Sequence, residues 1–174
     1  MNRRSFHRYG TIALGNLVAL TLAVPGVGYV LDPLRRKSKQ GESQRLARLS
    51  DLTVGKPQAF AVIDARQDAW VKYPPEPVGS VWLVRQPAGS KPEVIAFTAE
   101  CPHLGCAVNL DAEGKSFLCP CHTSRFDFQG KPENRIPPRG MDTLDIEVTA
   151  GDDPEVHVRF QRFRTQEKEK TPLA

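Results

Sequence analysis

The chain has 174 residues, 40% hydrophobic and 25% charged, with 15 prolines and 13 glycines. This excludes a disordered chain, leaves room for one domain plus an extension, and favours short strands over long helices. The net charge of +4 is uneven, with ten Lys/Arg against three Asp/Glu in residues 1–56 and fourteen against seventeen in 57–174. The basic part brackets an apolar run, which points to a membrane surface and not to nucleic acid.

In chain order, residues 2–8 read "NRRSFHR". They resemble a twin-arginine export signal: paired Arg3 and Arg4, apolar Phe6, basic Arg8, then an apolar run. Residues 9–31 contain no charged side chain. As a helix they would reach about 34 Å at ~1.5 Å per residue, enough for a hydrocarbon core of about 30 Å. Pro25 and Gly26 would bend or end that helix. The run is longer than a signal-peptide core and no strong A-x-A site follows it, so it reads as an uncleaved anchor. Arg35, Arg36, Lys37 and Lys39 on its far side leave charge counting unable to orient it. The export-signal resemblance does orient it. It implies a single pass through a bacterial cytoplasmic membrane, with the N-terminus in the cytoplasm and the remainder outside.

Residues 32–50 are polar and read as a linker or hinge, with a helical tendency around Glu42–Leu49. From 51 onward, "AFAVI" (59–63), "SVWLVR" (80–85), "VIAFTA" (94–99), "DTLDIEV" (142–148) and "VHVRF" (156–160) are short apolar runs between Gly and Pro. With no helical period after 51, residues 51–165 are expected to form one antiparallel β domain. Residues 166–174 are expected to be a frayed, flexible tail. His157 alternates with Val156 and Val158 and should face outward on a strand. His7 belongs to the signal, and Trp70 and Trp82 read as packing residues.

All four cysteines lie in "CPHLGC" (101–106) and "CPCHTSRFD" (119–127), with two of the four histidines. Cys101 and His103 supply one thiolate and one imidazole; Cys119 and His122 supply the same pair. Pro102 and Pro120 stiffen the turns. Such a set could hold a tetrahedral zinc ion, or a 2Fe–2S cluster with both histidines on one iron. Zinc fingers usually pair like with like. Here each loop is mixed, with fifteen residues between His103 and Cys119.

This C-x-H…C-x-x-H pattern resembles the Rieske iron–sulfur family. The resemblance spans roughly 51–165, with its specific motifs in 101–127. It implies an all-β Rieske domain with its cluster loops at one tip, behind a single N-terminal transmembrane helix. It implies one Rieske-type 2Fe–2S cluster, with Cys101 and Cys119 on the ferric iron and His103 and His122 on the redox-active iron. It also implies a disulfide between Cys106 and Cys121, as in quinol-oxidising members. Such a bond needs an oxidising compartment, in keeping with export. The twin-arginine route carries folded proteins, as a preassembled cluster would require.

In high-potential relatives the second loop reads roughly C-P-C-H-G-S-x-Y-D, where Ser donates to a bridging sulfide and Tyr to a ligand sulfur. Here Ser124 is present and Phe126 replaces the Tyr. The resemblance therefore implies a potential below that of ubiquinol-oxidising relatives, as suits menaquinol. Thr123 in place of Gly suggests an altered backbone. The third, covering loop corresponds to "RIPPRGMD" (135–142), where the usual Gly-Pro start is lost.

The layout resembles the Rieske subunit of a cytochrome bc-type complex. That implies oxidation of quinol at the outer nitrogen of His122 and electron delivery to a c-type cytochrome. The implied partners are a cytochrome b-type membrane subunit and membrane lipid, in a multi-subunit, dimeric assembly. The chain carries no haem-attachment motif and would not be catalytic alone. Two other readings are the small Rieske subunit of an arsenite oxidase-like enzyme and a zinc-bound structural module.

Overall fold

The uncharged N-terminal run forms one continuous helix. In a computed structural model, which describes residues 2–35, 42–65, 67–68 and 70–173, helix α1 spans Arg3–Arg35. Asn2 caps it, its Oδ1 accepting from the amides of Arg4 (2.9 Å) and Ser5 (3.1 Å). The helix does not stop at Pro25, and it runs on for another ten residues. A proline removes one backbone donor, and the apolar turns on either side carry the helix through. The helix is long and apolar enough to cross a membrane, and its apolar side chains are exposed. A two-residue hairpin, β3 (Gln67–Asp68) with β4 (Val71–Lys72), belongs to the same structural unit. Between its strands Trp70 stacks on Tyr29 of α1, ring centroids 4.5 Å apart.

The second unit holds the remaining strands: β1 (Ser43–Arg48), β2 (Pro57–Asp64), β5 (Glu76–Arg85), β6 (Val94–Thr98), β7 (Asn109–Leu110), β8 (Phe117–Leu118), β9 (Arg125–Phe126), β10 (Asp145–Val148) and β11 (Glu155–Arg159). They form three antiparallel sheets, ordered β1-β11-β10, β2-β5-β6 and β7-β8-β9.

Strand β5 explains the layering. Val81 and Leu83 point to one hydrophobic cluster with Val156, Val158, Leu144 and Leu49. Trp82 and Val84 point to another with Phe97, Phe117, Phe126, Cys101 and Cys119. A strand buried on both faces has no polar alternation, and so "SVWLVR" reads as a continuous apolar run. The middle sheet thus packs on β1-β11-β10 with one face and supports the cysteine loops with the other. In β11 Val156 and Val158 are fully buried, while His157 lies outward beside Glu155.

Two sequence expectations are corrected. Ser43–Arg48, taken as linker with helical tendency, is a strand paired with β11. Arg45 and Arg48 form ion pairs with Glu155 (2.6 Å) and Asp153 (3.1 Å), so charges that suggested a linker serve an edge strand. Of the expected linker, residues 36–41 lie outside the described residues. The tail expected to fray from 166 instead folds back. Arg164 N–H donates to Thr171 O and Leu173 N–H to Arg162 O, both at 2.8 Å. Backbone pairing and side-chain anchors, which composition cannot report, hold it there.

Candidate metal centre

The first loop, 101–106, leaves β6 and enters β7; the second, 119–124, joins β8 to β9. Each closes with the same hydrogen bond. Cys101 N–H donates to Cys106 O (2.8 Å), and Cys119 N–H donates to Ser124 O (2.9 Å). Each also needs a left-handed residue: Gly105 at φ 77° and Thr123 at φ 57°. The second loop thus has the positive φ that a glycine would favour. Thr123 bears the strain, its carbonyl held by Asn134 Nδ2 at 2.7 Å.

Cys106 and Cys121 are joined in a disulfide, which links the loops. Cys101 and Cys119 are free thiols, 1% and 2% exposed. The disulfide sulfurs lie within 4.8 Å of Cys119 Sγ, but as an oxidised pair they are not thiolate donors. His103 and His122 meet edge to face, ring centroids 4.8 Å apart, with His103 half-buried and His122 exposed. The fold therefore brings two free thiols and two imidazoles to one tip, with the second-loop imidazole the more open to solvent.

Burial pushes the Cys101 thiol up. The His103 amide and the Ser124 hydroxyl draw it back down, and the neighbouring Cys119 thiol raises it again. Such a buried thiol resists becoming a thiolate unless a cation compensates it. Ser124 Oγ is the one buried side-chain oxygen or nitrogen among the described residues left without a hydrogen bond of full geometry, its contact with the Cys101 thiol falling short of one. An orphaned hydroxyl beside paired thiols fits a site that receives a further acceptor, such as a sulfide. The donor set and the orphan hydroxyl together fit an iron–sulfur group.

Phe126 is fully buried opposite Phe117 and packs in the cluster beneath the loops. Trp82 reinforces that cluster by donating Nε1–H to Val108 O at 2.9 Å. Asp111 buttresses the base of the second loop, accepting from the Lys115 amide (2.8 Å) and Ser116 Oγ (3.0 Å), with Arg125 at 3.6 Å. These contacts hold its carboxyl below the usual range, the Lys115 amide most of all. No motif flags Asp111 in the sequence; only a carboxylate at a tight turn hints at it.

A family model described as the Rieske [2Fe-2S] domain matches residues 42–145. The menaquinol:cytochrome c reductase iron-sulfur subunit of Bacillus subtilis is 29% identical over 155 residues, covering 87% of this chain and 89% of the relative. The cytochrome b6-f complex iron-sulfur subunit of Trichodesmium erythraeum is 29% identical over 171 residues, covering 97% and 91%. A crystal structure of a cyanobacterial plasma membrane Rieske protein from Synechocystis is 31% identical, covering 47% of this chain and 79% of that one, at a TM-score of 0.36.

Proposed function

The chain belongs to the Rieske [2Fe-2S] domain family, and from that premise we propose that it is the membrane-anchored electron-transfer subunit of a bc-type quinol:cytochrome c oxidoreductase. Its cofactor is one Rieske-type 2Fe–2S cluster. We assign Cys101 and Cys119 to one iron and His103 and His122 to the other. The observation that carries this is the convergence of two buried free thiols, two adjacent imidazoles and the orphaned Ser124 hydroxyl.

When bound, the cluster supplies a one-electron acceptor. The exposed imidazole of His122 takes the quinol side: its outer nitrogen accepts a hydrogen bond from a quinol hydroxyl and then the proton. The second electron goes to the membrane-embedded cytochrome subunit. The half-buried His103 completes the ligand set away from the quinol. Ser124 donates toward sulfur and raises the potential; Phe126, with no hydroxyl, leaves it lower. That favours menaquinol, in line with the likeness to the Bacillus subtilis subunit. A c-type cytochrome is the acceptor.

Helix α1 anchors the chain, with residues 1–8 on the cytoplasmic side and the Rieske domain on the other. The Cys106–Cys121 disulfide supports an oxidising compartment. The test is reduction of a c-type cytochrome by menaquinol in native membranes. Wild type should turn over, while His122→Ala and Cys119→Ser should stop it. Undiminished turnover in either variant overturns the reading.

A further inference from the structure

The geometry points to the C-terminal segment 162–173 as a strap that positions the first cluster loop, with Arg139 as the positioning residue that locks it. This rests on the reading of Cys101 and His103 as ligands. The segment doubles back as a small hairpin, with Phe163 opposite Pro172 and buried at 6% exposure in the core. At its turn Gln166 adopts φ 64° and donates its amide to Pro102 O at 2.9 Å. Pro102 lies between Cys101 and His103, so this bond holds the peptide joining the two ligands. Arg162 Nε pairs with Glu100 Oε1 at 2.8 Å, one residue before Cys101. A side-chain carbon at Gly105 would meet Thr165 Cγ2 at 3.7 Å. The segment therefore touches the loop at its root, its ligand peptide and its tip.

Arg139 fixes the strap through its backbone carbonyls. Its guanidinium is spread over three acceptor groups. Nε and Nη2 bind the Asp142 carboxylate (2.8 and 2.7 Å), Nη2 also donates to Arg164 O (2.7 Å), and Nη1 donates to Glu167 O (2.5 Å). The pair is nearly buried, at 9% and 5% exposure. A guanidinium fork can satisfy a carboxylate and two carbonyls at once; a lysine ammonium cannot hold the same planar set. Lys170 adds a further tie, donating to Thr143 O at 2.6 Å. The first loop's own bonds close it on itself. Among the described residues, the strap supplies the backbone hydrogen bond to the Pro102 carbonyl from outside the loop, so the strap governs how firmly Cys101 and His103 present themselves to the cluster.

The test uses the full assembly in native membranes. A chain lacking residues 165–174 retains Phe163 and both members of the Arg139–Asp142 pair, and the reference strand reports whether it still folds. Hydrogen exchange is read at 101–108, with the central strand 81–85 as reference, alongside the EPR line shape and midpoint of the reduced centre. The strap predicts exchange about fivefold faster at 101–108 with 81–85 unchanged, together with a broadened EPR signal and a shifted midpoint. Arg139→Lys should fall between truncation and wild type. Exchange that is unchanged, or faster in both segments alike, overturns the proposal, as does a loosened loop with wild-type EPR and midpoint. A wild-type protein without the cluster signal contradicts the ligand reading instead, and exchange at 101–108 then decides the strap alone.

Discussion

The first loop (101–106) and the second loop (119–124) close with the same hydrogen bond, from a buried cysteine amide to a carbonyl five residues on. Beyond that they differ. The first puts Gly105 at its left-handed position, half-buries His103, and is held from outside at Glu100 and Pro102. The second puts Thr123 there, exposes His122, and leans on one amide, Asn134, and on the carboxylate beneath it. One backbone solution thus serves a loop that is braced and a loop that is presented. Ligand chemistry sets what the loops share, and contact with the outside sets how they differ.

The comparison breaks most visibly at the bond joining the two. Replacing Cys106 and Cys121 together with Ser frees a 15-residue separation. It should cost about 3 kcal/mol by chain entropy, read as a lower thermal midpoint. Next is Phe126→Tyr, confined to the second loop's side. A hydroxyl reaching a ligand sulfur would add one hydrogen bond to a charged group, about 1.4 kcal/mol, or about 60 mV upward for one electron. A potentiometric titration that leaves the midpoint in place would show that some other group sets it.

The left-handed positions should respond with opposite signs. Gly105→Ala places a side chain at φ 77° and should lose about 1 kcal/mol, whereas Thr123→Gly relieves φ 57° and should gain about 0.5–1 kcal/mol. Denaturant midpoints of the two variants decide it; shifts of the same sign would remove strain as the distinction between the loops. The smallest effect belongs to Asp111. Its folded carboxyl is depressed, chiefly by the Lys115 amide. Its contribution is present above the ordinary carboxylate range and disappears as pH falls through the lowered folded value. Asp111→Asn should therefore flatten the acid side of the stability profile and leave the variant closer to wild type at pH ~3 than at pH ~7.

Much of this was legible from the residues alone. Five apolar runs mark β2, β5, β6, β10 and β11, because burial against a sheet face leaves a direct trace in side-chain type. The mixed Cys/His loops stand out because few arrangements place soft and imidazole donors at such spacing. Strand β1 was hidden, since Arg45 and Arg48 look like linker and gain meaning only from Glu155 and Asp153 more than a hundred residues away. The C-terminal segment was hidden for the same reason. Its lysines and glutamates read as solvated, while its order comes from Arg139 reaching its carbonyls. The five two-residue strands, β7, β8 and β9 beside the site among them, are too short for any period to register.

The most direct test of the central claim is EPR of the reduced protein in its native membranes, titrated against potential. The account predicts a rhombic signal from a 2Fe–2S centre with two cysteine and two histidine ligands, its midpoint below that of ubiquinol-oxidising relatives. No such signal, together with one zinc per chain by metal analysis, would contradict it.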